Sequence, residues 1–248
     1  MSSYHQAIPV YREREEKNLM MGVDNVNLKN LVIPEKSLLH RIGRTKNQQI
    51  SKRLRKKIKK AVEEINALAK PEAVVNILPA RKNNGSVVLD GKTSLDSKKL
   101  AYALRYSRIV AVFLATIGSR VDRIIQKHMK SRPDYGFLLD AAASVAAESA
   151  AQNVCNHLKK GLHDDEKLTL RYSPGYCDWP LREQKKIFAF LPNDTIGVNL
   201  SKNLFMSPRK SVSGIVGICP SNLPEFSENP CLVCTKYDCP YRRTFSRQ

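Results

Sequence analysis

Six consecutive residues could do chemistry together: Arg171-Tyr172-Ser173-Pro174-Gly175-Tyr176. A guanidinium grips a carboxylate through two parallel hydrogen bonds. Pro174-Gly175 fixes a turn whose backbone N–H and C=O groups can approach a ligand closely. Tyr176 adds a flat face and a hydroxyl. A second set lies near the C-terminus, where Cys219, Cys231, Cys234 and Cys239 fall within 21 residues. Four thiolates suffice for one tetrahedral zinc or one four-cysteine iron–sulfur cluster, and Cys-x2-Cys places two sulfurs on one tight turn. Pro220, Pro230 and Pro240 stiffen the loops beside three of them.

Other catalytic constellations are missing. His5, His40, His128, His157 and His163 are scattered, and no Ser/His/Asp or Cys/His set can be assembled from their spacing. Cys177 follows the turn and reads as a small buried residue. Cys155 sits in an apolar helical pattern. The chain is 248 residues long with 42% hydrophobic content and a net charge of +19. No apolar run approaches the roughly 20 residues that a membrane span needs. The N-terminus carries no apolar signal core, so the expected location is cytoplasmic and disulfides are disfavoured.

The charge is unevenly placed. Residues 41–60 hold ten Lys or Arg and no acid. Such a face suits an acidic protein, a phosphate or a nucleic acid. No Phe, Tyr or Trp lies between Arg41 and Lys70 to stack bases. An acidic protein partner is therefore the favoured reading. The alternative is a nucleic-acid-binding protein using the basic helix 48–70 and a zinc-binding tail.

The elements that must position these residues follow from periodicity. Residues 1–47 read as an irregular N-terminal arm. Ile50, Leu54, Ile58, Ala61, Ile65 and Leu68 mark one face of a helix over 48–70, ended by Pro71. Strands are expected at 74–78, 87–89, 109–117, 167–172, 196–200 and 211–218. Helices are expected over 95–106, behind Ser119 as a cap with Asp122 in a capping-box-like position, over 137–160, and after Pro180. The 137–160 helix has a broad small-residue face on which Asp140 and Glu148 each need water or a partner. The pattern predicts an α+β fold, a twisted, mostly antiparallel or mixed sheet flanked by helices, with an N-terminal helical extension. The domain boundaries read as 1–47, 48–218 and a Cys-rich, metal-binding tail at 219–248.

Four segments, in this order, resemble the activation domain of cobalamin-dependent methionine synthase. They are Ala115-Thr116-Ile117-Gly118, then Asp134-Tyr135 leading into the helix with Glu148, then Arg171 to Tyr176 with Asp178-Trp179-Pro180, then Met206 to Gly214 with its Ser211-Val212-Ser213-Gly214. The resemblance covers roughly residues 25–218. It implies a stand-alone domain that binds S-adenosylmethionine and presents it for reductive methylation of cob(II)alamin on a separate cobalamin-binding methyltransferase protein. It implies that Arg171 holds the ligand's carboxylate. Ser173, Pro174 and Gly175 would supply backbone contacts, Tyr176 would line the pocket, and Glu148 would face a cationic or ribose group. The family's aromatics after Ser-Val-Ser-Gly are here Ile215 and Val216. An iron–sulfur cluster in the tail would serve as an electron source, zinc as a staple, and a separate electron donor is the remaining possibility. The resemblance does not choose between a split methionine synthase and another corrinoid methyltransferase.

Overall fold

The computed structural model describes residues 21–44 and 49–223. Its centre is one antiparallel sheet. The first strand, β1 (Gly22–Asn27), and a short helix, α1 (Glu35–Arg41), precede the basic helix α2 (Lys52–Leu68). Next come β2 (Glu72–Asn83), β3 (Ser86–Leu89) and β4 (Thr93–Asp96), then α3 (Lys98–Ala103) and β5 (Ile109–Thr116). Two helices, α4 (Ser119–Ser131) and α5 (Pro133–Lys160), lead to β6 (Glu166–Leu168), α6 (Gln184–Ala189), the two-residue strands β7 (Asn199–Leu200) and β8 (Met206–Ser207), and β9 (Ser211–Pro220).

The sheet order is β4-β3-β2-β5-β9-β6. β1 pairs with the first half of β2 and β3 with its second half, so both lie along the same edge of this long strand. Every pairing among the described strands is antiparallel, where the sequence left a mostly antiparallel or a mixed sheet open. β5 is buried at all eight positions because both sheet faces are covered. Ile109, Ala111, Phe113 and Ala115 pack with α2, α4 and α5, and Val110, Val112 and Leu114 pack with α3, α6 and Trp179 on the other face. The period of two in an extended chain sorts these residues between the layers.

Several expectations need correction. The stretch read as an irregular arm contains β1, which pairs with β2, and α1, whose Leu38 is fully buried. Its weak apolar periodicity reflects short elements with one or two inward residues each. Ser119 is not the cap of α4. Gly118, at φ +86°, occupies the cap position without a side-chain bond. Asp122 instead accepts from the backbone N–H of Arg209 at 2.6 Å. Pro133 opens α5, four residues before the start expected at 137. Leu95 lies in β4, so the helix expected over 95–106 is reduced to α3.

The α4–α5 corner is tight. A Cβ added at Gly136 would stand 2.7 Å from the backbone nitrogen of Met129 and 2.9 Å from the carbonyl carbon of His128. Ala has the higher helix propensity by about 1 kcal/mol. Overpacking against rigid backbone costs about 1–3 kcal/mol and outweighs it. Gly136→Ala is therefore expected to lower the thermal midpoint, and a raised midpoint would refute this packing.

Candidate functional site

Arg171 and Tyr172 continue the edge strand beyond β6. Thr169 N–H donates to Gly217 O at 2.9 Å, and Tyr172 exchanges two bonds with Ile215 of β9 at 2.9 and 2.8 Å. Alternation along this run sends Tyr172 into the α6-side core and Arg171 to the opposite face, over α5. There its Nη2 donates to Oε2 of Glu148 at 2.6 Å, closing an ion pair across 23 residues of sequence. The Arg171 side chain is only 11% exposed, whereas Glu148 is 44% exposed. The second arm of the fork, Nη1, is buried with no hydrogen-bond partner. A buried guanidinium N–H left unpaired is costly.

The turn itself is anchored at both ends. Gly175, at φ +90°, donates its N–H to Trp179 O at 2.8 Å, and Tyr176 N–H donates to Ser173 O at 3.3 Å. Pro174 is buried, Ser173 half-buried, and Tyr176 exposed at 45%. Trp179, 1% exposed, pins the far side of the turn into the core. Asp178 ties the turn to α3: its carboxylate accepts from Ser97 Oγ at 2.6 Å and from Lys99 N–H at 3.1 Å. Rigid anchors on both sides of an exposed glycine and tyrosine make a preformed ledge.

Thus Arg171, Ser173, Pro174, Gly175, Tyr176 and Glu148 gather at one sheet edge, although Glu148 comes from a different element. Asp140, two turns earlier on the same face of α5, accepts from Lys210 Nζ at 2.7 Å, and Ser144 between Asp140 and Glu148 accepts from the same Nζ at 2.9 Å. Ser211 at the head of β9 links Thr116 Oγ1 and Pro208 O through its hydroxyl. The Ser-Val-Ser-Gly segment therefore seats β9 beside β5. Gly214 is required there, because a Cβ would stand 2.8 Å from both the Phe113 ring and Tyr172 O. Ile215 and Val216 are buried, one in each core. Asp178 and Gly214, which hold the ledge in place, were legible only as members of the quoted motifs.

The cysteines divide. Cys177, expected to be buried, is exposed at φ +55°, since the turn throws it outward. Cys155 is buried beside Arg171, and burial pushes its thiol pKa up against the pull of that cation. Cys219 is a buried free thiol in β9 opposite Lys167, and burial pushes its pKa up as well. Cys231, Cys234 and Cys239 lie outside the described residues. Among the described residues no group of three metal-ligating side chains comes together, and no helix is long and apolar enough to cross a membrane.

A family model described as "Vitamin B12 dependent methionine synthase, activation domain" matches residues 103–223. Among solved structures, the chain is similar to one described as "Crystal Structure of the MetH Reactivation Domain bound to AdoHcy", with 18% identity and a TM-score of 0.63. The likeness covers 82% of this chain and 80% of that one. No curated protein matches.

Proposed function

We propose that this protein binds S-adenosylmethionine at the Arg171–Tyr176 ledge and presents it for reductive methylation of cob(II)alamin on a partner methyltransferase. The observation that carries this is the half-used fork of Arg171: one arm on Glu148, the other buried and without a hydrogen-bond partner, three residues before a glycine turn. The ligand's carboxylate takes the guanidinium of Arg171. Glu148, left half-exposed on its outer side, faces the ligand's cationic or ribose portion. The backbone of Ser173, Pro174 and Gly175 and the ring of Tyr176 hold the remainder. The activation-domain family match and the fold shared with a reactivation domain crystallised with S-adenosylhomocysteine support this reading.

The ligand supplies a methyl group on a sulfonium, and the partner's cobalt, once reduced by one electron, is its acceptor. The protein's residues bind and orient, and none takes a proton. Methionine synthase is the leading partner. The reading is tested by calorimetry with S-adenosylmethionine on the wild-type protein: binding is expected, and its absence would refute the assignment.

We further assign Cys219, near the end of β9, with Cys231, Cys234 and Cys239 to a zinc or iron–sulfur site. The thiolate form of Cys219 requires that a bound cation offset its burial. Metal analysis of anaerobically purified protein is expected to return zinc or iron in stoichiometric amount. Iron with visible charge-transfer absorption would select the cluster as electron source, and a metal-free protein would remove the assignment.

A further inference from the structure

α2 is charged in the wrong direction for its own stability. All of its Lys and Arg residues fall between Lys52 and Lys60, in its N-terminal half, and its first turn holds no acid. A helix N-terminus carries positive partial charge, which disfavours cations. The same residues repel one another at i, i+4 spacing, as in Lys52–Lys56, Lys56–Lys60 and Arg53–Lys57. Only three of the seven are ion-paired among the described residues: Arg55 with Glu35, Lys57 with Asp134 and Lys59 with Glu63.

The neighbouring helix adds to this face. Lys57 meets Asp134 at the start of α5, and Glu64 meets His128 in the last turns of α4. Lys127 and Lys130 of α4, on either side of His128 in sequence, are exposed. Lys52, Arg53, Lys56, Lys60, Lys127 and Lys130 have no carboxylate partner among the described residues. Asp134 and Glu148 are 14 residues apart on α5, which at 1.5 Å per residue sets this face about 20 Å along the helix from the Arg171 ledge.

We propose that this α2–α4 face is a docking surface for an acidic face of a partner protein, separate from the ligand ledge. A local arrangement that opposes helix stability, repeated over four residues, is expected where function demands it. The spacing leaves the ledge open while the partner is held. Nucleic acid is the competing polyanion. The described part of α2 offers no aromatic side chain for base stacking, and its cations are mostly Lys, which act as point charges rather than forks. The proposal rests on the reading above only in supposing that a partner exists.

The test uses the full chain and three measurements. Fluorescence anisotropy at 50 mM salt compares labelled 30-residue polyglutamate with a 15-base-pair DNA duplex of matched charge, against wild type and a Lys52→Glu/Arg53→Glu/Lys56→Glu/Lys60→Glu variant. Wild type is expected to bind polyglutamate at least as tightly as the duplex. The variant is expected to bind it at least tenfold more weakly, with a shallower salt dependence. Thermal unfolding of this variant and of the matching four-Gln variant is expected to give midpoints equal to or above wild type. Duplex binding tighter by tenfold or more, unchanged polyglutamate binding, or lowered midpoints in both variants would each overturn the proposal. Calorimetry of the variants with S-adenosylmethionine keeps the two readings apart: the reversal is expected to leave it unchanged.

Discussion

Arg171→Ala is expected to weaken binding of S-adenosylmethionine by at least about thirtyfold. A hydrogen-bonded charge pair at 11% exposure that loses one partner costs about 2–5 kcal/mol, which weakens affinity between roughly thirtyfold and several thousandfold. Arg171→Lys retains the charge but not the fork, and is expected to recover only a small part of the loss. Fold stability should change little by comparison, because Glu148 is half-exposed and can be hydrated once Arg171 is gone. Calorimetry on the three proteins, with thermal unfolding alongside, measures both effects. Equal binding by wild type and Arg171→Ala would remove the central assignment.

Gly214→Ala is expected to damage fold and site together. Its new Cβ would stand 2.8 Å from the Phe113 ring and from Tyr172 O, the carbonyl that receives Ile215 N–H at 2.8 Å. Either the buried ring or the run carrying Arg171 must move. Overpacking of this kind costs about 1–3 kcal/mol, a fall in midpoint of roughly 2 to 12 °C for a domain of this size. Displacing Arg171 by even part of an ångström separates its guanidinium from the anion, so affinity is expected to drop at temperatures where the variant is fully folded. Gly197→Ala is the control. Gly197 also has a positive φ, +64°, but nothing stands within 4 Å of its Cβ position. It should lose stability through backbone strain and keep its affinity. Unaltered affinity in Gly214→Ala would mean that β9 does not position the ledge.

The parts of the fold that were legible in the sequence are those with strong local signals. Ile109–Thr116 could be read as a buried strand because all eight residues are apolar or small, and α2 because its apolar residues recur at three and four. β1, α1 and β4 were hidden because each has only one or two residues facing a core, too few to establish a period. The cap expected at Ser119 failed for a tertiary reason: Asp122 is engaged by Arg209, 87 residues away. At the site, the chemical types at Arg171 to Tyr176 were visible as a contiguous motif. The pairing of Arg171 with Glu148 was not, since it depends on α5 crossing the face toward which strand alternation sends Arg171. The outward placement of Cys177 likewise follows from a left-handed backbone angle that residue type alone disfavours.

The place of β9 in the sheet has a consequence for how the protein is made. β9 is the last strand in the described chain, yet it lies between β5 and β6. Until residues 211–220 have left the ribosome, β5 has an open edge that is apolar at every position but Thr116, and the run carrying Arg171 has nothing to pair with. A nascent or prematurely terminated chain that stops before Ser211 therefore exposes an aggregation-prone strand and has no ledge. Formation of the ledge is tied to completion of the domain.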